Sequence, residues 1–208
     1  MLLKIHPENP EMRKIVKAVQ ILQKGGVIIY PTDTLYGLGC DIHNTRALER
    51  ICRIKGIKMR KSNFSFICND LSHLSEYTAP IDNSTFRLLK KVLPGPFTFI
   101  LKASSTVAKL FRNNKKTVGI RIPNTQIAQM LVKELGRPIL STTLNTKEMG
   151  EFLEYYTDPE DIYDAYKHQV DLVIDGGYGN QNPSTVVDCS KGEPIILRQG
   201  IGILPIEV

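Results

Sequence analysis

The chain has 208 residues, of which 42% are hydrophobic and 23% are charged, and its formal net charge is +6 at pH 7. These values are typical of one globular domain, and no apolar run reaches the roughly 18 residues that a membrane span needs. We therefore expect a single domain over residues 1–208 that is cytoplasmic and has no membrane partner. The excess of positive charge favours anionic partners, such as nucleotides or nucleic acid.

The first predicted elements are a strand, a helix and a second strand. Residues 2–5 predict the first strand, and apolar residues recur at helical spacing from Met12 to Leu22. Gly25 and Gly26 end this helix, because glycine readily adopts the conformation that closes a helix. Val27–Tyr30 are all apolar, which predicts a short strand buried on both faces.

The stretch after this strand carries the first candidate site. Pro31 ends the strand, and residues 32–34 (Thr-Asp-Thr) place two hydroxyls and a carboxylate after it. Gly37 and Gly39 then allow the backbone to come close to a ligand. Because open α/β sheets bind ligands beyond the carboxyl ends of their strands, we expect a ligand-binding loop here. A polar turn with two glycines is the alternative.

A second helix begins at Asn44 or Thr45, and its outer face and the following loop are strongly basic, with Glu49 as the only acid. Two functions fit this basic run: it neutralises a polyphosphate, or it lies along a nucleic-acid backbone. A solvated helix face is the alternative. The cations of the basic run are Arg46, Arg50, Arg53, Lys55, Lys58, Arg60 and Lys61.

The rest of the chain alternates between predicted strands and predicted helices. Strands are predicted at 64–68, 97–102, 117–121, from 139, and at 172–174, 185–187 and 195–198, and helices at 71–77, 83–92, 107–111, 125–135 and from 158. Residues 147–156 predict a loop. Because several strands follow one another too closely for crossover helices, we expect a single-domain, twisted, open mixed sheet with flanking helices.

The common nucleotide and metal signatures are absent from the sequence. It contains no Walker loop and no GxGxxG motif, and its four cysteines and four histidines have no zinc-site spacing, so we expect no dedicated metal site. Instead, hydroxyls, amides and arginines lie at the ends of several strands and suggest a converging polar site. Arg121 and Arg198 can each fork onto a carboxylate or phosphate, and a buried pair with Asp175 or Asp188 is the alternative. The strand-end groups are Thr32, Thr34, Thr117, Arg121, Ser141, Thr143, Asn145, Ser184, Thr185 and Arg198.

Motifs in a fixed order along nearly the whole chain resemble those of the YrdC-type threonylcarbamoyl-adenylate synthases. The YciO branch is the most similar. The resemblance implies an α/β domain with a concave, positively charged face. The motifs are the stretch 31–39 (PTDTLYGLG), Lys55-Gly56, 94–101 (PGPFTFIL), 117–123 (TVGIRIP), 183–188 (PSTVVD) and 196–200 (ILRQG).

The resemblance also implies a reaction and roles for individual residues. The family joins L-threonine, bicarbonate and ATP into threonylcarbamoyl-AMP and pyrophosphate, for tRNA modification, and Mg²⁺ arrives with ATP. By resemblance, Lys55 meets the phosphates. The amino acid is held by Thr32, Arg121, Ser141 and Ser184, and the nucleotide by Thr117, Thr143 and Arg198.

Two departures from the family pattern lead us to expect weak or altered activity. Ile57 stands where the synthases carry a phosphate-facing arginine, and Cys68 stands where they carry a histidine of the threonine pocket. An alternative function is binding of double-stranded RNA or tRNA without catalysis, and a nucleotide-sensing protein is a third. The residues expected to bind RNA are Arg50, Arg53, Lys58, Arg60 and Lys61.

Overall fold

The computed structural model describes residues 1–59, 64–111, 116–144, 147–149 and 152–205. The strands are β1 (Leu2–Lys4), β2 (Val27–Tyr30), β3 (Gly37–Asp41), β4 (Ser65–Ile67), β5 (Phe97–Lys102), β6 (Thr117–Arg121), β7 (Ile139–Thr143), β8 (Lys147–Met149), β9 (Phe152–Glu154), β10 (Leu172–Asp175), β11 (Thr185–Asp188) and β12 (Ile195–Arg198). The helices are α1 (Met12–Gln23), α2 (Thr45–Lys55), α3 (Leu74–Tyr77), α4 (Asn83–Val92), α5 (Ser105–Phe111), α6 (Gln126–Leu135) and α7 (Pro159–Tyr166).

Ten of the strands form one mixed sheet in the order β1-β10-β2-β3-β7-β4-β6-β5-β11-β12. The pairs β1/β10, β10/β2, β4/β6 and β11/β5 are parallel, and the other neighbours are antiparallel. The predicted open mixed sheet with flanking helices is therefore confirmed. No helix in the described part of the chain is long and apolar enough to span a membrane.

Two segments differ from the prediction. Gly37 and Gly39 do not belong to a loop but to β3, which pairs antiparallel with β2 so that Tyr30 lies opposite Gly37. The prediction is wrong here because glycine is a weak strand former, and the cross-strand partner that compensates for it is invisible in the local sequence. Residues 147–149 and 152–154, expected in a loop, form the antiparallel pair β8/β9.

The helices cover the two faces of the sheet unequally. Helices α2, α3, α4, α5 and α7 contribute to the larger apolar core on one face, and α1 and α6 to the smaller core on the other. The smaller core takes its sheet residues from β10, β2 and the near ends of β7 and β4. On that face, α1 and α6 do not cover the half of the sheet from β4 to β12.

Side chains along the open half alternate as the pleat of a strand requires. In β6, Val118 and Ile120 enter the larger core, whereas Gly119 and Arg121 face the open side. Because successive side chains point to opposite faces of a sheet, each strand can be apolar toward the helices and polar toward solvent. The open half of the sheet is therefore the place where polar side chains collect.

Candidate functional site

A cavity of about 440 Å³ lies on the open half of the sheet. This volume is within the range of roughly 300–1,000 Å³ that small-molecule sites occupy. Among its lining residues the two arginines carry charge and no carboxylate does, so the cavity favours an anionic ligand. Six of the predicted site residues line it together: Thr117, Arg121, Ser141, Thr143, Ser184 and Arg198.

Arg121 ties the cavity to the loop after β2. Its Nη2 donates hydrogen bonds to Thr32 Oγ1 at 3.0 Å and to Thr34 Oγ1 at 2.6 Å, and it forms an ion pair with Asp33. The second carboxylate oxygen of Asp33 accepts from the backbone N–H of Asn124 at 3.0 Å. An arginine–aspartate pair is therefore present, but with Asp33 rather than with Asp175 or Asp188. Thr32 reaches the site through Arg121 and is not itself a lining residue.

One edge of the Arg121 guanidinium is left without a partner. Arg121 is only 9% exposed, and its Nε is buried with no hydrogen-bond acceptor among the residues that the structure describes. A buried donor without a partner costs about 1–3 kcal/mol. Arg121 is a ligand-binding candidate because it lines the cavity and brings a positive charge to its wall.

Arg198 is held at the opposite wall by Ser184. Its Nε and Nη2 donate to the Ser184 carbonyl oxygen at 3.2 and 2.8 Å, and the Ser184 hydroxyl lies 2.9 Å from Thr98 Oγ1. Burial lowers the pKa of Arg198, and the positive charge of Arg121 lowers it further, while Tyr155 acts in the opposite direction. Two guanidinium groups thus act on one cavity. The sequence reasoning missed Thr98, although a single hydroxyl in the apolar strand 97–101 was a detectable signal.

Lys55 approaches the edge of the cavity from the other face of the sheet. Its ammonium group donates to the Thr143 carbonyl oxygen at 2.7 Å, and burial lowers its pKa. Helix α2 delivers this lysine because Asn44 caps the amino end of the helix and Gly56, with φ of 64°, ends it directly after Lys55. Lys55 therefore does not line the cavity, but it contacts the backbone of Thr143, which does.

Arg50, within the basic run, lies away from Thr32 and from the cavity. Arg50 makes an ion pair with Asp171 at 2.6 Å and donates to the Gln169 carbonyl oxygen. Asp171 also accepts from the backbone N–H of Val27, at the start of β2, whereas Thr32 follows its end. Because β2 spans about 10 Å, Arg50 lies well away from the cavity. Arg53 and Lys58 are exposed, and Arg60, Lys61 and Asn145 lie outside the described residues.

The two positions that depart from the family pattern do not face the cavity. Ile57 is half-buried and packs against the larger core. Cys68 belongs to the same core, and burial raises the pKa of its thiol to about 12. Neither side chain is among the lining residues, so neither contributes a contact to the cavity.

Gly37 and Gly39 make room for a tyrosine. A Cβ at Gly37 would lie 2.9 Å from the ring of Tyr30, and a Cβ at Gly39 would lie 3.0 Å from it. The Tyr30 ring therefore crosses β3, and its hydroxyl donates to Ser141 Oγ on β7 at 2.7 Å. Gly37 also lines the cavity. The space beside the two glycines, which the sequence predicts for a ligand, is filled by the Tyr30 ring.

No group of three or more histidine, cysteine, aspartate or glutamate side chains in the described ranges is placed to hold a metal ion. The fold and the site together define an α/β domain whose open sheet face carries a cationic, hydroxyl-lined cavity. A family model for Sua5, YciO and YrdC proteins, described as "Telomere recombination", matches residues 20–200. The chain belongs to the Sua5/YciO/YrdC family.

Individual relatives agree with this assignment. The chain is 48% identical to YciO of Escherichia coli K12 over 199 residues, covering 95% of the chain and 94% of YciO. The crystal structure of E. coli YciO superposes with a TM-score of 0.86 at 45% identity, over 98% of this chain and 97% of that one. Sua5 of P. abyssi, solved with L-threonine, superposes with a TM-score of 0.85 at 26% identity, over 96% of this chain and 57% of Sua5.

Proposed function

We propose that the protein is a threonylcarbamoyl-AMP synthase-like enzyme that uses L-threonine, bicarbonate and ATP. The observation that carries the proposal is the cavity of about 440 Å³ that Arg121, Arg198 and several hydroxyl groups line, with no carboxylate among its described lining residues. The P. abyssi Sua5 structure with L-threonine has the same fold at 26% identity. An amino-acid carboxylate is the natural acceptor for a guanidinium edge, because the two groups match in charge and planar geometry.

The amino-acid end of the proposed reaction lies around Arg121. Its Nη2 is already committed to residues 32–34, so the guanidinium is fixed before the ligand arrives and loses little freedom on binding. Ser141 and Ser184 add hydroxyls at the cavity wall. Thr32 acts indirectly, by accepting from Arg121 and donating to the Leu35 carbonyl oxygen at 2.6 Å.

The nucleotide end of the proposed reaction lies around Arg198, Thr117 and Thr143. The threonine amine and bicarbonate condense to a carbamate with loss of water, and a carbamate oxygen then attacks the α-phosphorus of ATP, so that the bond to pyrophosphate breaks. Arg198 stabilises the negative charge that develops on the phosphate oxygens, and Lys55 acts from behind Thr143, whose carbonyl oxygen accepts from its ammonium group. Mg²⁺ enters with ATP and supplies further charge neutralisation.

Pyrophosphate release on mixing the protein with L-threonine, bicarbonate and ATP tests the proposal. Arg121→Lys should lower this rate about 10²-fold, as expected for loss of a positioned donor. Arg137→Lys is the matched control, because Arg137 also pairs with a buried aspartate, Asp41, but does not line the cavity. Threonine-dependent release in the wild type that Arg121→Lys leaves unchanged would contradict the role of Arg121. Absence of release from the wild type would contradict the reaction itself.

We propose RNA binding as a second candidate function, with a narrower basis than the sequence suggested. Arg53 and Lys58 are exposed on and after α2, so two of the residues expected to bind RNA are available to phosphates. Arg50 is a weaker candidate because its guanidinium is engaged by Asp171 and Gln169. A gel-shift titration with duplex RNA, with no threonine or ATP present, separates this function from the synthase reaction.

A further inference from the structure

The hydroxyl of Ser141 receives a hydrogen bond from inside the protein. Tyr30 lies on β2 and Ser141 on β7, with β3 between them, and the Tyr30 hydroxyl reaches Ser141 Oγ at 2.7 Å. This reach requires that β3 carry no side chains on the same face. Gly37, opposite Tyr30, and Gly39, opposite Ser141, meet that requirement.

The direction of this hydrogen bond is fixed by its surroundings. Tyr30 is fully buried, and burial raises its pKa to about 12, so the phenol keeps its proton at neutral pH. The Tyr30–Ser141 geometry has the phenol as donor and the serine oxygen as acceptor. The Ser141 proton has the Leu38 carbonyl oxygen as its nearest described acceptor, at a long 3.4 Å. Because such a contact is weak, the proton is available to the cavity that Ser141 lines.

We propose that Tyr30 is a positioning residue that orients Ser141 as a hydrogen-bond donor toward the cavity, so that Ser141 favours an acceptor oxygen of the ligand over an amine. The inference rests on the proposed function, in which that oxygen belongs to the carboxylate or carbamate of the amino-acid substrate. A serine hydroxyl ordinarily donates and accepts with equal ease. With one of its two lone pairs taken by Tyr30 and its proton free for the cavity, Ser141 favours an anionic or carbonyl oxygen.

A double-mutant cycle on threonine affinity tests this coupling. Calorimetric titration of L-threonine is carried out with the wild type, Tyr30→Phe, Ser141→Ala and the double variant. Phenylalanine keeps the ring over the two glycines and removes only the hydroxyl. We expect each single variant to weaken threonine binding about tenfold, the loss typical of a hydrogen bond to a charged group. The double variant should bind no more weakly than Ser141→Ala alone, because Tyr30 acts through Ser141.

The control and the outcomes separate the inference from the proposed function. Tyr77→Phe also removes a buried phenol, but Tyr77 packs against Phe66 in the larger core, so this variant should keep wild-type threonine affinity. Unchanged threonine affinity in Tyr30→Phe, or losses that multiply in the double variant, would overturn the positioning role while leaving the proposed function intact. A wild type that does not bind threonine would overturn the proposed function, and the inference with it.

Discussion

Replacing Ile57 with arginine tests whether the loop after α2 accepts the phosphate-facing cation that the resemblance to the synthases implies at this position. In the structure the backbone N–H of Ile57 donates to the Cys52 carbonyl oxygen at 3.0 Å, directly after Gly56 closes the helix. This bond fixes the direction of the side chain, which packs against the larger core. An arginine at this position would either bury its charge in that core or turn to solvent and lose the apolar contacts that Ile57 makes there.

The size of the effect follows from the burial of Ile57. Full burial of an isoleucine contributes about 1.5–3 kcal/mol, so a half-buried one contributes about 1 kcal/mol. For a domain of 208 residues this corresponds to a melting temperature lower by about 2–4 °C. We therefore expect Ile57→Arg to be mildly destabilised and to release pyrophosphate at a rate within about twofold of the wild type, since its guanidinium does not reach the cavity.

Two assays on the same preparations check this prediction: thermal unfolding, and pyrophosphate release with threonine, bicarbonate and ATP. Lys58→Arg is the matched control, because it places a guanidinium in the same loop at an exposed position and removes no core packing. Its melting temperature should equal that of the wild type. If Ile57→Arg instead raised pyrophosphate release tenfold or more without loss of stability, the side chain would have to turn toward the phosphates, and the packing argument would be refuted.

Three further predictions concern the fold and the surface. Gly39→Ala should destabilise the protein by about 1–3 kcal/mol in urea unfolding, since its Cβ would lie 2.7 Å from an isoleucine methyl and 3.0 Å from a backbone oxygen; wild-type stability would contradict the packing of β3. Burial raises the pKa of Asp41, but hydrogen bonds from Arg137 and from the His43 N–H outweigh it and leave the pKa lowered. Asp41→Asn should therefore be less stable than the wild type at pH 7, with the difference narrowing below about pH 4, whereas a difference independent of pH would argue against the pair. Replacing both Arg53 and Lys58 with alanine should weaken duplex RNA binding and flatten its salt dependence in gel shifts, and binding unaffected by salt would rule out this phosphate contact.

Much of the fold could be predicted because most helices and strands can be recognised from their own residues. The all-apolar stretch Val27–Tyr30 is buried as predicted. The amphipathic spacing and caps of α2 place its apolar side toward the core. Strand β3 could not be found in this way. Its glycines are explained by the Tyr30 ring and the Ser141 hydroxyl, which belong to the neighbouring strands and are distant in sequence.

The candidate site could be predicted in part, for a similar reason. Polar groups at strand ends on the open side, such as Arg121 at the end of β6 and Ser184 directly before β11, come together because the sheet brings strand ends into register. The basic run is a different case. Its helical spacing predicts that the cations point away from the apolar core, but it does not predict which groups they contact. Arg50 pairs with Asp171, which is remote in sequence. Charge composition therefore does not indicate which cations face solvent and which are paired within the protein.

The position of the cavity follows from the unequal helix layers. A strand covered by helices on both faces must be apolar at every position, as β2 is. A strand covered on one face has alternate positions free for polar groups, and β6 uses them for Gly119 and Arg121 while Val118 and Ile120 fill the core. Since the glycine leaves space and the arginine supplies charge, the same alternation that builds the core also builds a cationic cavity. The contrast between a continuous apolar strand and an alternating one carrying an arginine thus indicates, from sequence alone, which half of the sheet is open to a ligand.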